Sequence, residues 1–223
     1  IPTAGNSSTQ WRPHYPKLIF GRAKQWDNTG AFDPAVSTTT AEYIAPWVAN
    51  TAACPTPARK LAVMDAQAVE DYANTLVAGG STYHDIGMIW GARLLSPTGL
   101  FAAENVDVGR PTSRHMVFLT DGQTSALDIS YSAYGFEPLD KRRWSPASSR
   151  TLTQTIEDRF AFACKEAKKK NISIWLVAFG TELNPVMEEC AGAGHAFQAN
   201  DGDELAETFS LIAKRMSDLR LTL

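Results

Sequence analysis

Met116-Val117-Phe118-Leu119-Thr120-Asp121-Gly122 is the stretch whose reading decides the fold. Four successive apolar residues leave no polar face, the pattern of a strand buried on both sides in a parallel sheet. A carboxylate and a glycine follow at once, so the strand delivers Asp121 to its carboxyl end while Gly122 lets the backbone turn away. Open α/β sheets bind ligands beyond the carboxyl ends of their strands, which makes Asp121 the first candidate for function. Its plainer alternative is a cap or turn residue.

The flanking sequence agrees with that reading. Ile172-Ser173-Ile174-Trp175-Leu176-Val177-Ala178-Phe179 predicts a second central strand, and a helix from about Thr153 to Lys170 precedes it, with Ile156, Phe160, Ala163, Cys164 and Ala167 on its inner stripe. Beyond it come a short helix near Pro185 to Cys190, a short strand over His195 to Ala199, and a last helix capped by Asp201 or Asp203. Leu205, Phe209, Ile212, Met216 and Leu219 line that helix at spacings of four and three. Upstream, Leu61 to Met64 reads as a short strand. Asp65 caps a helix carrying Val69, Tyr72, Ala73, Leu76 and Val77, which Gly79-Gly80 ends. A second helix begins near Asp85 with Ile86, Ile89, Trp90 and Leu94 inward and stops before Pro97. Alternation of this kind predicts an α/β sandwich, a mostly parallel sheet with helices on both faces.

The chain has 223 residues, enough for one large domain with a substantial core. Its 21 Lys plus Arg against 24 Asp plus Glu give a net charge of -3, the wrong balance for a general nucleic-acid binder. The basic runs Lys168-Lys169-Lys170 and Lys141-Arg142-Arg143 are read as a solvated helix end and a solvated loop. No stretch approaches the length of a membrane span, and the first thirty residues do not read as a signal peptide. Residues 1–58 are irregular and rich in proline and aromatic residues, read as an extension or insertion that lies against something; residues 59–223 carry the regular pattern. Of three cysteines, Cys54 and Cys190, or Cys164 and Cys190, could pair.

A second loop could reach the edge that Asp121 marks. Gly80-Ser81-Thr82-Tyr83-His84-Asp85 joins two helices and exposes two hydroxyls. Hydroxyl and carboxylate are hard oxygen donors, suited to Mg²⁺ or Ca²⁺ rather than to zinc. The four histidines show no zinc-ligand spacing. A rival reading is a hydrolase in which Asp121, His84 and Asp85 or His115 form an acid/base cluster. A third is a metal-free structural domain, with Thr82 bonded inside its own loop and Asp121 satisfied by backbone N–H groups.

The two loops also carry a resemblance. Gly80-Ser81-Thr82 with Gly87 five residues after the threonine, followed about forty residues later by Leu119-Thr120-Asp121-Gly122, resembles a von Willebrand factor type A domain. The fold this implies is a three-layer α/β sandwich, and the threonine and aspartate would belong to a metal-ion-dependent adhesion site. More closely, the chain is similar to the C-terminal region of TadG-like (TadE/TadG) Flp pilus assembly proteins. The residues that carry this are Gly87 through Pro97, Val117 through Gly122, Tyr131 through Gly135, Cys164 through Phe179 and Cys190 through Leu221. The resemblance implies a non-catalytic binding and assembly module of the bacterial tight-adherence machinery, in the periplasm or at the cell surface, membrane-anchored through an N-terminal segment not in this chain. Thr82 and Asp121 would supply part of a Mg²⁺ site completed by a carboxylate of a protein partner. The family's further motif, Asp-x-Ser-x-Ser at the end of a first strand, is not found upstream. The same letters occur at Asp128-Ile129-Ser130-Tyr131-Ser132, after the Asp121 strand, where they read as a polar loop. The long loop 122–150, with Tyr131, Tyr134, Phe136 and Trp144, would shape the rim, its aromatics folding it against its own domain.

Overall fold

A computed structural model describes residues 5–6, 21–22, 43–44, 56–107, 109, 112–126, 128, 132–135 and 137–218. The head predicted to be irregular contributes β1 (Gly21–Arg22) and β2 (Tyr43–Ile44), paired antiparallel. Most of the rest of residues 1–58, with Cys54, and also Tyr131, Phe136 and Leu219, lies outside the described residues.

The regular part is a mixed α/β unit around a three-stranded, all-parallel open sheet in the order β3 (Arg114–Thr120), β4 (Ile172–Phe179), β5 (Ala196–Ala199). Arg114 pairs with Ile172 and Thr120 with Ala178, so both strands run to the same edge. Side chains of β4 alternate between two cores. Ile172, Ile174 and Leu176 enter the larger one with Met116, Met88, Phe160, Ala163, Cys164, Ala167 and Met187. Trp175 and Val177 enter the smaller one with Ile212, backed by Val117, Phe197, Leu205 and Met216. The strand is buried on both faces, as its unbroken apolar run requires.

The larger core is roofed by α2 (His84–Leu95), α5 (Leu152–Lys169) and α6 (Pro185–Ala191); α7 (Gly202–Asp218) covers the other face. Helix α5 starts one residue before the sequence suggests, because Thr151 and Gln154 form a reciprocal capping box. Asp201 rather than Asp203 caps α7, its Oδ1 accepting from the backbone N–H groups of Asp203 at 3.0 Å and Glu204 at 2.9 Å. Helix α2 lies close on β3 because Gly91 has no side chain: a Cβ there would stand 3.1 Å from Met116 Sδ. A disulfide joins Cys164 of α5 to Cys190 of α6, which leaves Cys54 no cysteine of this chain to pair with.

Four expectations are corrected. The run Met116 to Leu119, read as buried on both faces, lies in an edge strand of the described sheet, so that only Met116 of the four is buried and Leu119 is 48% exposed. Leu61 to Met64 is not a strand; Val63 is fully exposed and Leu61 is 53% exposed, since no described strand stands beside the run to hydrogen-bond it. Helix α1 is shorter than predicted, Ala66–Ala73, and buries none of its residues, although Asp65 caps it as expected through Ala68 N–H at 2.8 Å. In α2 the buried residues are His84, Asp85 and Met88, and Ile89 packs against the core as expected, while Trp90 turns out and stacks under Arg93. Two short helices, α3 (Ala102–Asn105) and α4 (Glu137–Asp140), have no counterpart in the sequence reading. The runs Lys168-Lys169-Lys170 and Lys141-Arg142-Arg143 are exposed, as expected. Among the described residues no helix is long and apolar enough to cross a membrane.

Candidate functional site

The carboxyl end of β3 opens into a cleft of about 500 Å³. Its polar wall is Ser81, Thr82 and Asp121, its apolar wall Phe118, Leu119 and Phe179. The loop 80–83 is held there by backbone pairing: Thr82 N–H donates to Ser125 O at 2.9 Å, and Ser125 N–H donates to Thr82 O at 3.0 Å. Thr82 and Asp121, thirty-nine positions apart in the chain, therefore line one cleft. The Asp121 side chain is exposed and accepts no hydrogen bond from any described residue, unlike the backbone-satisfied aspartate that a purely structural domain would show.

His84 sets the floor. It is 5% exposed, between Phe118 and Phe160. Its Nε2 lies 3.0 Å from Thr120 Oγ1 and its Nδ1 3.0 Å from Thr124 Oγ1. Thr120 donates its own proton to Gly122 O at 3.0 Å, so its oxygen is free to accept. The network thus assigns the proton of His84 to Nε2 and makes Nδ1 the acceptor for the Thr124 hydroxyl. Burial pushes the pKa of His84 below its ordinary value of 6.5, offset in part by the Gly122 backbone and by the charges of Asp85 and Asp121.

A lowered histidine pKa has a stability consequence of definite sign. Above pH 6.5 the ring is neutral folded and unfolded; as pH falls through 6.5 the unfolded chain takes up the proton first, so stability is lost towards the depressed folded value. Urea unfolding midpoints are expected to fall between pH 7.5 and 5, and His84→Gln to flatten that slope. A slope identical in the variant would show that another group sets it.

Behind His84 lies a cluster that sequence reasoning missed. Asp85 is wholly buried and Glu137 is 3% exposed. Arg159 of α5 bonds both, Nε to Asp85 Oδ2 at 2.8 Å and Nη1 to Glu137 Oε1 at 2.7 Å. Tyr134 donates its hydroxyl to Asp85 Oδ2 at 2.9 Å, and the Arg159 guanidinium stands 4.3 Å over the Tyr134 ring. Burial first, then the negative charge of Asp85, raises the Tyr134 pKa far above the ordinary phenol value; burial and the charge of Glu137 do the same for Tyr83. A signal was present: Arg159 lies three residues after Ile156 and one before Phe160, on the buried stripe of α5, where a charge needs partners.

These contacts bear on the rival chemistries. Both ring nitrogens of His84 are engaged by threonine hydroxyls, Asp85 faces Arg159, and His115 accepts from Trp175 Nε1 at 3.1 Å on the α7 face of the sheet. Of the group Asp121, His84 and Asp85 or His115, His84 and Asp121 line the one cleft, while Asp85 is held by Arg159 and His115 lies on the opposite face of the sheet. For a metal, Thr82 and Asp121 are hard oxygen donors in one cleft, but a Mg²⁺ or Ca²⁺ ion takes about six oxygens. Among the described residues no group of three or more His, Cys, Asp or Glu side chains converges on a point. The displaced Asp-x-Ser-x-Ser letters do not help. Asp128 lines a separate cavity of about 350 Å³ with Trp144 and Arg150, and the Ser132 hydroxyl is bonded to Gly135 O; 129–131 lie outside the described residues. Of the rim aromatics, Trp144 is buried with Leu152 and Ile156 and donates to Arg150 O at 2.8 Å, folding the loop against its own domain as expected.

Comparison with protein-family models, curated proteins and solved structures finds no significant match.

Proposed function

We propose that the chain is a non-catalytic binding and assembly module built on a von Willebrand factor type A-like three-layer sandwich, from a TadG-like protein of the tight-adherence (Flp) pilus system. The observation that carries the reading is the meeting of Thr82 and Asp121 in one cleft beyond the carboxyl end of a parallel strand. Hydroxyl and carboxylate are the donor types a Mg²⁺ adhesion site uses, and the Asp121 carboxylate engages no described donor that would compete with the ion. Bound there, a cation would draw in a carboxylate of a protein partner, making strong a contact that water alone leaves weak. Thr82 and Asp121 supply part of the shell. Among the described residues no strand pairs with the outer edge of β3, beside Asp121.

The disulfide between Cys164 and Cys190 favours the compartment this reading requires. Disulfides persist in the periplasm and at cell surfaces and are rare in a reducing cytosol.

Calorimetric titration with Mn²⁺ tests the site. Weak binding is expected, lost in Asp121→Ala and reduced in Thr82→Ala, with both variants as stable as the parent since neither side chain is buried. Isotherms for Asp121→Ala that superimpose on those of the parent would sink the metal reading. A catalytic reading would instead require a turnover that His84→Gln abolishes.

A further inference from the structure

Loops on proteins usually take their position from backbone bonds and apolar contacts. The segment carrying Tyr134 and α4 is tied down differently, by an ion pair beneath it. Glu137 enters the interior and is met by Arg159, which at the same time holds Asp85 at the first turn of α2. Tyr134 adds a second tie from the same segment to the same carboxylate. A single guanidinium therefore links three elements: α2, α5 and the Tyr134–α4 segment.

The tie between Arg159 and Glu137 is also incomplete. Only Nη1 and Oε1 meet; Arg159 Nη2 and Glu137 Oε2 are buried and make no hydrogen bond with any described residue. A forked, two-bond pairing would satisfy both atoms. Buried polar groups left unpaired are costly, which makes this contact the least satisfied of the three.

Its release would not stay local. Asp85 is bonded through Oδ1 to the Ile86 N–H at 2.9 Å, and it follows directly on His84. His84 grips Thr120 and Thr124, the residues on either side of Asp121-Gly122-Gln123. Thr82, two residues before His84, pairs with Ser125. The chain of contacts from Glu137 to the mouth of the cleft is thus continuous: Glu137, Arg159, Asp85, His84, then the paired loops that carry Thr82 and Asp121. Glu137, Asp85 and His84 are buried and Arg159 is half-buried, and all four are hydrogen-bonded, the kind of network that shifts between discrete arrangements rather than deforming smoothly.

We propose that Arg159 is a latch coupling the Tyr134–α4 segment to the mouth of the Thr82–Asp121 cleft, so that withdrawal of Glu137 loosens the cleft loops as well. The coupling rests on the contacts alone and stands whether or not the cleft takes a cation.

Amide hydrogen exchange on the whole chain reads it. Tyr134, Gly135 and Lys141 N–H are hydrogen-bonded within the segment, and Thr82 and Ser125 N–H within the cleft, so all five are protected reporters. In Glu137→Ala, exchange is expected to accelerate about tenfold or more at the first three and at least about threefold at Thr82 and Ser125, with Ile174 to Val177 of β4 unchanged. Acceleration confined to the segment, with Thr82 and Ser125 at their original rates, would overturn the coupling; no acceleration anywhere would overturn the latch. Glu137→Gln weakens the same tie while keeping the side-chain volume and burying no new charge, so it is measured alongside. Faster exchange at Tyr134, Gly135 and Lys141 with unchanged protection at Thr82 and Ser125 in that variant overturns the coupling even where Glu137→Ala destabilises the whole domain.

Discussion

Replacing Arg159 by leucine is expected to cost about 3–5 kcal/mol of folding free energy, the range for breaking one buried ion pair by removing a partner. Two carboxylates would be stranded, Asp85 with no exposed surface and Glu137 with almost none. Leucine keeps an aliphatic stem at the position, which limits the part of the loss that comes from packing. The attribution is checked by neutralising the stranded groups. Asp85→Asn with Glu137→Gln in the Arg159→Leu background is expected to recover a large share of the loss, because amides are cheaper to bury than carboxylates. Residues in one network do not add independently, so the quantity to report is the interaction energy of the cycle. Should Arg159→Leu alone shift the urea midpoint by less than about 1 kcal/mol would imply, the typical scale of an exposed pair, the cluster is not buried in solution. Burial by itself would weaken the charge of Arg159; the bond from Glu137 and the two carboxylate charges more than offset it and hold the guanidinium firmly protonated. The effect is therefore expected at any pH where the carboxylates are ionised.

The second large effect concerns the disulfide. Cys164 and Cys190 close a loop with a sequence separation of 26, for which chain-entropy arguments give about 3.5 kcal/mol. Cys164→Ala with Cys190→Ala is expected to lower the melting temperature by roughly 10 °C for a chain of this size. Reduction without mutation should do nearly the same, since both sulfurs are buried in the core under α5 and α6. A peptide map of the unreduced protein is expected to link these two cysteines. A map that links Cys54 to either one would contradict the pairing and the stability argument with it.

Both effects arise where distant residues meet, and that marks how far the sequence could be read. Periods of two and of 3.6 residues are local signals, so β3, β4, β5, α5, α6 and α7 were legible in outline. The cap of α7 was narrowed to two aspartates because capping is a matter of a few neighbouring atoms. Leu61 to Met64 misled because an apolar run specifies a strand only when a partner strand is there to complete its hydrogen bonds. Trp90 misled because a helix with apolar residues all round does not declare which face turns inward. At the site, Asp121 was visible as the residue that follows an apolar strand, and Thr82 as a hydroxyl on a glycine-rich loop; that β3 stands at the edge of the described sheet, with Leu119 exposed, was not.

The sequence by itself determined the class of the fold and marked two of the oxygen-bearing residues that line the cleft, Thr82 and Asp121. The runs Met116 to Leu119 and Ile172 to Phe179, each too apolar for a solvated loop, can satisfy their backbones in few ways other than as neighbouring strands of one sheet. Tertiary structure alone decided what stands beneath those donors. Asp85, Tyr134, Glu137 and Arg159 are polar residues with unremarkable local context, separated by as many as 74 positions. Nothing periodic connects them. They meet because packing α2 and α5 on one face of the sheet brings their charged side chains out of water together, and a buried charge must find its partner wherever the fold has put it.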